Sequence, residues 1–239
     1  MRKLQTLFFF DMIFTMLKEI KVQLTRSLVR VLPSKLLSQH AMKPTGWFGK
    51  KIVLSLFETA NICLCEFMYD LSDLTHDSVV MDMGFGPGQL FPILENRVEK
   101  IVGVDFSRDV VNEATKRYKK MIASGKLELV EASVESLPFD DNTFDVIFTA
   151  NTIYFYPNPL ENVKELLRVI KPNGKLILGL GVKEQLENLG LDEDVFTLYT
   201  IEESIELLEK AGFTSVEQHL RSEANRDSYC VVGQKVKTK

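Results

Sequence analysis

From residue 78 onward, short apolar runs alternate with longer amphipathic stretches, and this alternation restricts the fold more than any other feature. "VVMDM" (79–83), "KIVGVDF" (100–106), "KLELVEA" (126–132), "FDVIFTA" (144–150) and "KLILGL" (175–180) read as strands. Between them, "GQLFPILENR" (88–97, broken near Pro92), residues 107–123 beginning at a cap-like Ser107, and residues 159–170 read as helices. A strand reached only through a helix must run parallel to the one before it, so the pattern implies a parallel sheet with helices on both faces.

The last part of the chain is different in kind. "TIEESIELLEKAGF" (200–213) reads as a helix with a capping start at Thr200 and a glycine stop at Gly212. "TSVEQHLRS" (214–222) and "SYCVVGQK" (228–235) follow as strands joined too closely for a crossover, so one of them must run antiparallel to the other. The expectation is an α/β, Rossmann-like, doubly wound fold. Its sheet is mostly parallel and seven-stranded, with one antiparallel strand near the C-terminus, and N-terminal accessory helices are added to it. Residues 1–77 form the accessory region and 78–239 the main domain.

Within residues 1–77, Leu17, Ile20, Leu24, Leu28 and Val31 recur at helical spacing among basic residues until Pro33. This basic amphipathic helix lies on an anionic membrane surface, caps a lipid-like ligand, or packs on the domain as an ordinary accessory helix. "KPTGWFGKK" (43–51) reads as a flap over a site or as a packed corner. The opening "MRKLQTLFFFDMIFTML" is interrupted by Asp11 and falls short of the ~20 apolar residues of a spanning helix, so neither secretion nor a membrane span is expected. Met12 or Met16 is an alternative first residue.

Charge narrows the partners. Residues 1–51 carry a net +8, and since the whole chain is −4, the remainder is −12. An acidic body argues against nucleic acid as a partner. Three cysteines, Cys63, Cys65 and Cys230, make neither a disulfide framework nor a zinc spacing, which points to a reducing, cytoplasmic setting and no metal. A peripheral membrane contact would come only through the N-terminal helix, and nothing in the sequence specifies an oligomeric state.

The first strand runs into "GFGPG", with Gly84, Gly86 and Gly88 at the carboxyl edge of the sheet, where ligands of such folds bind. Glycine lets a ligand approach the main chain. The GxGxG spacing departs from the GxGxxG of a dinucleotide loop. Asp105, at the tip of the second strand, is placed to accept hydrogen bonds from both hydroxyls of a ribose. Asp82, inside the first strand among apolar neighbours, calls for a cationic or NH-rich partner such as an amino-acid ammonium group.

"VVMDMGFGPG", "IVGVDFS", "SLPFDDNTFDVIFTANTIYFYPNP" and "LLRVIKPNGKLILG", in this order and spacing, resemble the class I S-adenosylmethionine-dependent methyltransferases. The resemblance covers roughly residues 78–235, and its style is close to the ubiquinone and menaquinone biosynthesis branch. It implies S-adenosyl-L-methionine as cofactor, S-adenosyl-L-homocysteine as product and a small-molecule acceptor, lipid-like or quinone-like. It also implies that the glycines admit the methionine and adenosine parts without any phosphate. Asp105 then binds the ribose and Phe106 packs along the adenine. Ser133 stands where the family often has an Asp for the adenine amino group, which leaves that contact to a weaker hydroxyl and to the backbone of Val134. Asn151 lies where the family lines the methionine end and the substrate entrance.

Catalysis of methyl transfer needs alignment and exclusion of water more than a protein nucleophile. Tyr154, Tyr156, His40 and Asn151 are candidates for the acceptor pocket, and no catalytic residue is specified. "NTIY" replaces the Asp/Asn-Pro-Pro-Tyr segment of amino-group methylation, so carbon, oxygen and nitrogen acceptors all stay open. Two rival readings stand beside this one: an NAD-dependent oxidoreductase, and a non-catalytic S-adenosylmethionine-binding module.

Overall fold

The computed structural model describes residues 54–181, 183–187, 196–223 and 226–236. The expected amphipathic helix of residues 17–33, the flap at 43–51 and His40 lie outside the described residues. The elements in chain order are α1 (Leu54–Asp70), β1 (Val79–Met83), α2 (Leu90–Leu94), β2 (Lys100–Asp105), α3 (Arg108–Arg117), α4 (Lys119–Ala123), β3 (Leu127–Glu131), β4 (Phe144–Ala150), a 3-10 turn (Ile153–Phe155), α5 (Pro159–Val169), β5 (Ile170–Leu180), α6 (Lys183–Leu186), α7 (Ile201–Ala211), β6 (Thr214–Glu223) and β7 (Arg226–Gln234).

The seven strands form one sheet in the order β3-β2-β1-β4-β5-β7-β6. All pairs from β3 to β5 are parallel, while β7 is antiparallel to both β5 and β6, so a single strand runs against the rest as expected. Strand periodicity divides the side chains between two cores. Met81, Val102, Val104, Leu176 and Leu178 join the cluster beneath α5 and α7, and Val80, Ile101, Phe148 and Ile177 join the one beneath α1 to α4. The chain builds outward from β1 to β3 on one side and from β4 on the other. Order reverses between β1 and β4, and the crevice at their carboxyl ends is where an open α/β sheet takes a ligand.

α1 belongs to this architecture as a covering layer, with Leu64, Cys65, Phe67 and Met68 buried in the second core. It presses so close on β5 that a Cβ at Gly179 would stand 2.6 Å from Met68 Sδ. At the other end, Thr200 accepts from the Glu203 N–H at 3.1 Å and Glu203 Oε2 from the Thr200 N–H at 2.9 Å. This is the capping box that starts α7, and Gly212 at φ 106° stops it.

Three local expectations change. The helix expected over residues 107–123 divides at Tyr118, whose ring packs edge-on to Phe91 at 5.1 Å and whose hydroxyl donates to the glycine-loop carbonyls of Pro87 and Gly88. Tertiary packing overrides helix continuity there. The helix of residues 88–97 shortens to Leu90–Leu94. β5 starts at Ile170 rather than Lys175, because Ile170 already pairs with Phe144 and the "KPNG" bend survives inside the strand as a register shift.

Candidate cofactor site at the β1–β4 switch point

The glycine loop leaves β1 with Gly84, Gly86 and Gly88 all at positive φ (70°, 52° and 76°), a turn that L side chains rarely adopt. Their surroundings differ. A Cβ at Gly84 would meet Thr152 Cγ2 at 2.3 Å, and one at Gly88 would meet the Phe91 ring at 2.6 Å, whereas Gly86 faces open space. Two of the glycines therefore let the loop close on the protein itself, while the middle one has open space where a side chain would stand and gives its N–H to Asp105. Tyr118, whose hydroxyl binds the Pro87 and Gly88 carbonyls at 3.0 and 2.9 Å, braces the loop from beneath. It carries no motif and went unread in the sequence.

Asp105 ends β2 beside this loop. Its Oδ1 accepts from the Ser107 N–H at 2.9 Å and its Oδ2 from the Gly86 N–H at 3.2 Å. Burial pushes its carboxyl up to about 6 despite those two backbone donors. Ser107 precedes α3 as expected, but its hydroxyl caps nothing and has no partner among the described residues. Phe106, next in sequence, is 42% exposed.

Asp82 lies on β1 opposite Gly103 and Phe148, 3% exposed. Among the described residues no hydrogen-bond donor serves its carboxylate. Burial first and Asp105 second push it up to about 8. A buried acid without a donor is costly when ionised, so this position favours a cation or an NH group brought by a ligand.

The third-strand loop joins the same edge, as the Ala132 N–H donates to the Asp105 carbonyl at 3.2 Å. The Ser133 hydroxyl lies 3.1 Å from Glu135 Oε2, and the Val134 side chain is buried in the core, leaving only its main chain for a ligand.

Past β4, Asn151 adopts φ 54°, a left-handed conformation that asparagine tolerates better than most residues. Its Oδ1 accepts from the Gly181 N–H at 3.1 Å and from the Tyr154 hydroxyl at 3.0 Å, and its Nδ2 donates to Asn61 Oδ1 on α1 at 3.0 Å. Tyr154 is buried, with its hydroxyl also 2.8 Å from the Gly181 carbonyl, and it supports the wall of the crevice. Tyr156 is buried against Thr149, its hydroxyls 3.3 Å apart. Asp82, the glycine loop, Asp105, Phe106 and Asn151 thus converge on the switch point, while Tyr156 stands apart in the core. Among the described residues no cluster of His, Cys, Asp or Glu is placed to hold a metal ion, and no helix is long and apolar enough to cross a membrane.

Comparison with known proteins agrees with this fold. A family profile described as "Methyltransferase domain" matches residues 81–178. The ubiquinone/menaquinone biosynthesis C-methyltransferase UbiE of Escherichia coli is 27% identical over 139 residues, which cover 57% of this chain and 55% of that protein, so the match spans about half the length of the curated relative. Among solved structures, a SAM-dependent methyltransferase from Aquifex aeolicus is similar with a TM-score of 0.62 and 27% identity, over 74% of this chain and 93% of that one. The cyclase SpnF, at a TM-score of 0.64 and 19% identity over 74% and 81% of the two chains, shares the fold.

Proposed function

We propose that the chain, whose residues 81–178 match a methyltransferase domain, acts as a class I S-adenosylmethionine-dependent methyltransferase and transfers a methyl group to a small-molecule acceptor of quinone-like or lipid-like type. The observation that carries this reading is the pairing, at one switch point, of a glycine loop with open space at Gly86 and two buried carboxylates of different surroundings. S-adenosylmethionine, when bound, supplies an electrophilic methyl on a sulfonium, which an acceptor atom takes in line while S-adenosylhomocysteine leaves.

The chain's own residues bind, orient and exclude water. Asp105, already polarised by two backbone N–H groups, would accept from the ribose hydroxyls, and the Gly86 main chain would lie along the amino-acid tail. Asp82 would take up the ammonium group, directly or through water, and Phe106 would cover one adenine face. The Val134 main chain and Ser133 would meet the adenine edge, with Asn151 at the methionine end. The quinone-like acceptor class comes from the likeness to UbiE, whose name places it in ubiquinone and menaquinone biosynthesis. The nicotinamide alternative draws no support from the family match.

Calorimetry with S-adenosylhomocysteine tests the reading. The wild-type chain should bind it and ignore NAD, and D105A should bind it about 10- to 100-fold more weakly, the worth of hydrogen bonds to a charged group. An unaltered dissociation constant in D105A would overturn the assignment. Transfer of a tritiated methyl group onto lipid and aqueous extracts then identifies the acceptor. For the basic residues 17–33 we propose a peripheral contact with anionic membranes. Full-length protein should sediment with anionic vesicles less at high salt, and a chain starting at Lys35 that sediments equally well would remove the idea.

A further inference from the structure

The geometry points to Asn61 and Asn151 as a pair of amide donors that hold an oxygen atom of the acceptor, so that α1, outside the matched domain, contributes a specificity-determining residue. This rests on the methyltransferase reading and deepens it.

The hydrogen-bond network fixes which way each amide faces. A backbone N–H can only donate, so the atom of Asn151 that meets Gly181 N must be its carbonyl oxygen. The same oxygen meets the Tyr154 hydroxyl. The amide nitrogen of Asn151 therefore faces Asn61, and because it donates there, Asn61 must present its own oxygen. The Asn151 oxygen accepts two of these bonds and the Asn61 oxygen one, which leaves Asn61 a single spare lone pair. Also uncommitted among the described residues are one N–H on Asn151 and both N–H groups on Asn61.

The pair thus offers three N–H donors against one remaining acceptor lone pair. Both residues are only partly buried and can be reached by a ligand. The strand end that carries Asn151 abuts the glycine loop, since Thr152 is the neighbour that a Cβ at Gly84 would strike. Donors in this excess beside the glycine loop suit a carbonyl or an ionised hydroxyl better than an amine hydrogen, for which the pair keeps only the spare lone pair of Asn61. The acceptor class is then an oxygen-bearing molecule held through that oxygen.

The protein saturated with S-adenosylhomocysteine is titrated with 4-nitrophenolate and separately with 4-nitroaniline, an oxygen anion and an amine of nearly the same shape, each followed by its visible absorption. The phenolate should bind about tenfold or more tightly than the aniline, as expected for charge-assisted hydrogen bonds. N61D keeps an oxygen for Asn151 but trades the free donors for a negative charge, and it should abolish the preference. N61D therefore separates direct contact from mere support, which an acceptor oxygen at position 61 would preserve. A wild-type protein without the preference, or N61D with the wild-type preference, overturns the proposal. If N61D weakens S-adenosylhomocysteine and keeps the phenolate preference, the pair serves the cofactor's carboxylate and the proposal is likewise overturned. Failure of the methyltransferase reading shows separately, as absence of S-adenosylhomocysteine binding to the wild type, and the phenolate titration run without it still reads the pair.

Discussion

The two sides of the crevice are built by opposite means. On the β1–β2 side the main chain does the work: three glycines turn the loop, Gly86 leaves open the space of a side chain, and Asp105 is held by the backbone N–H groups of Gly86 and Ser107. On the β4 side the work falls to side chains drawn from afar, with Asn61, Asn151, Tyr154 and Gly181 joined across as many as 90 residues of sequence. Main-chain recognition needs particular residue types at fixed spacing, so it leaves a motif. A clamp of side chains needs only that its members meet in space, and each lineage can assemble it from different positions.

The contrast breaks most visibly at the glycines. G84A should cost about 3 kcal/mol or more, because the new methyl overlaps Thr152 and the backbone is left-handed, and thermal melting would report it. G86A should cost only about 1 kcal/mol of conformational strain, yet weaken S-adenosylhomocysteine binding in calorimetry. Equal destabilisation by the two substitutions would erase the distinction between a glycine that closes the loop and one that opens it.

The carboxylates give the next largest effect. Asp82 is raised from 3.8 to about 8 and Asp105 from 3.8 to about 6, so between those values the folded chain keeps protons that the unfolded chain has released. Stability without added cofactor should therefore fall as pH climbs from about 4 to about 8 and level off above that. D82N removes the larger part of this slope and should be more stable than wild type at the alkaline end. Thermal melts across pH check both, and a wild-type curve rising through that range would contradict the burial of Asp82.

The smallest effect belongs to the clamp. Y154F deletes a hydroxyl that meets Asn151 and both backbone groups of Gly181, and should cost about 1–2 kcal/mol while leaving S-adenosylhomocysteine affinity nearly unchanged. A large loss of cofactor affinity instead would mean that the two sides of the crevice do not act separately.

The same contrast explains what could be read from the chain before folding. Strands β1, β2 and β4 announced themselves because a strand buried on both faces is largely apolar along its length, the edge strand β3 by alternation, and Thr200 and Gly212 marked α7 because helix ends need particular chemistry. The glycines and Asp105 were readable for their spacing. Tyr118 and Asn61 were not, since one lay inside a plausible helix and the other inside an apolar one, and their roles depend on partners 30 and 90 residues away. The early start of β5 was hidden because "KPNG" reads as a boundary, and only pairing of Ile170 with Phe144 carries the strand through it.

β7 occupies the gap between β5 and β6, both of which precede it in the chain. During synthesis the ribosome delivers the flanking strands first, and they have no partner between them until residue 234 has emerged. The sheet can therefore be completed only late, by insertion of a strand into a waiting slot. A nascent chain stalled before that point would expose two open edges to its neighbours, which makes this stretch the natural place for a chaperone to be needed.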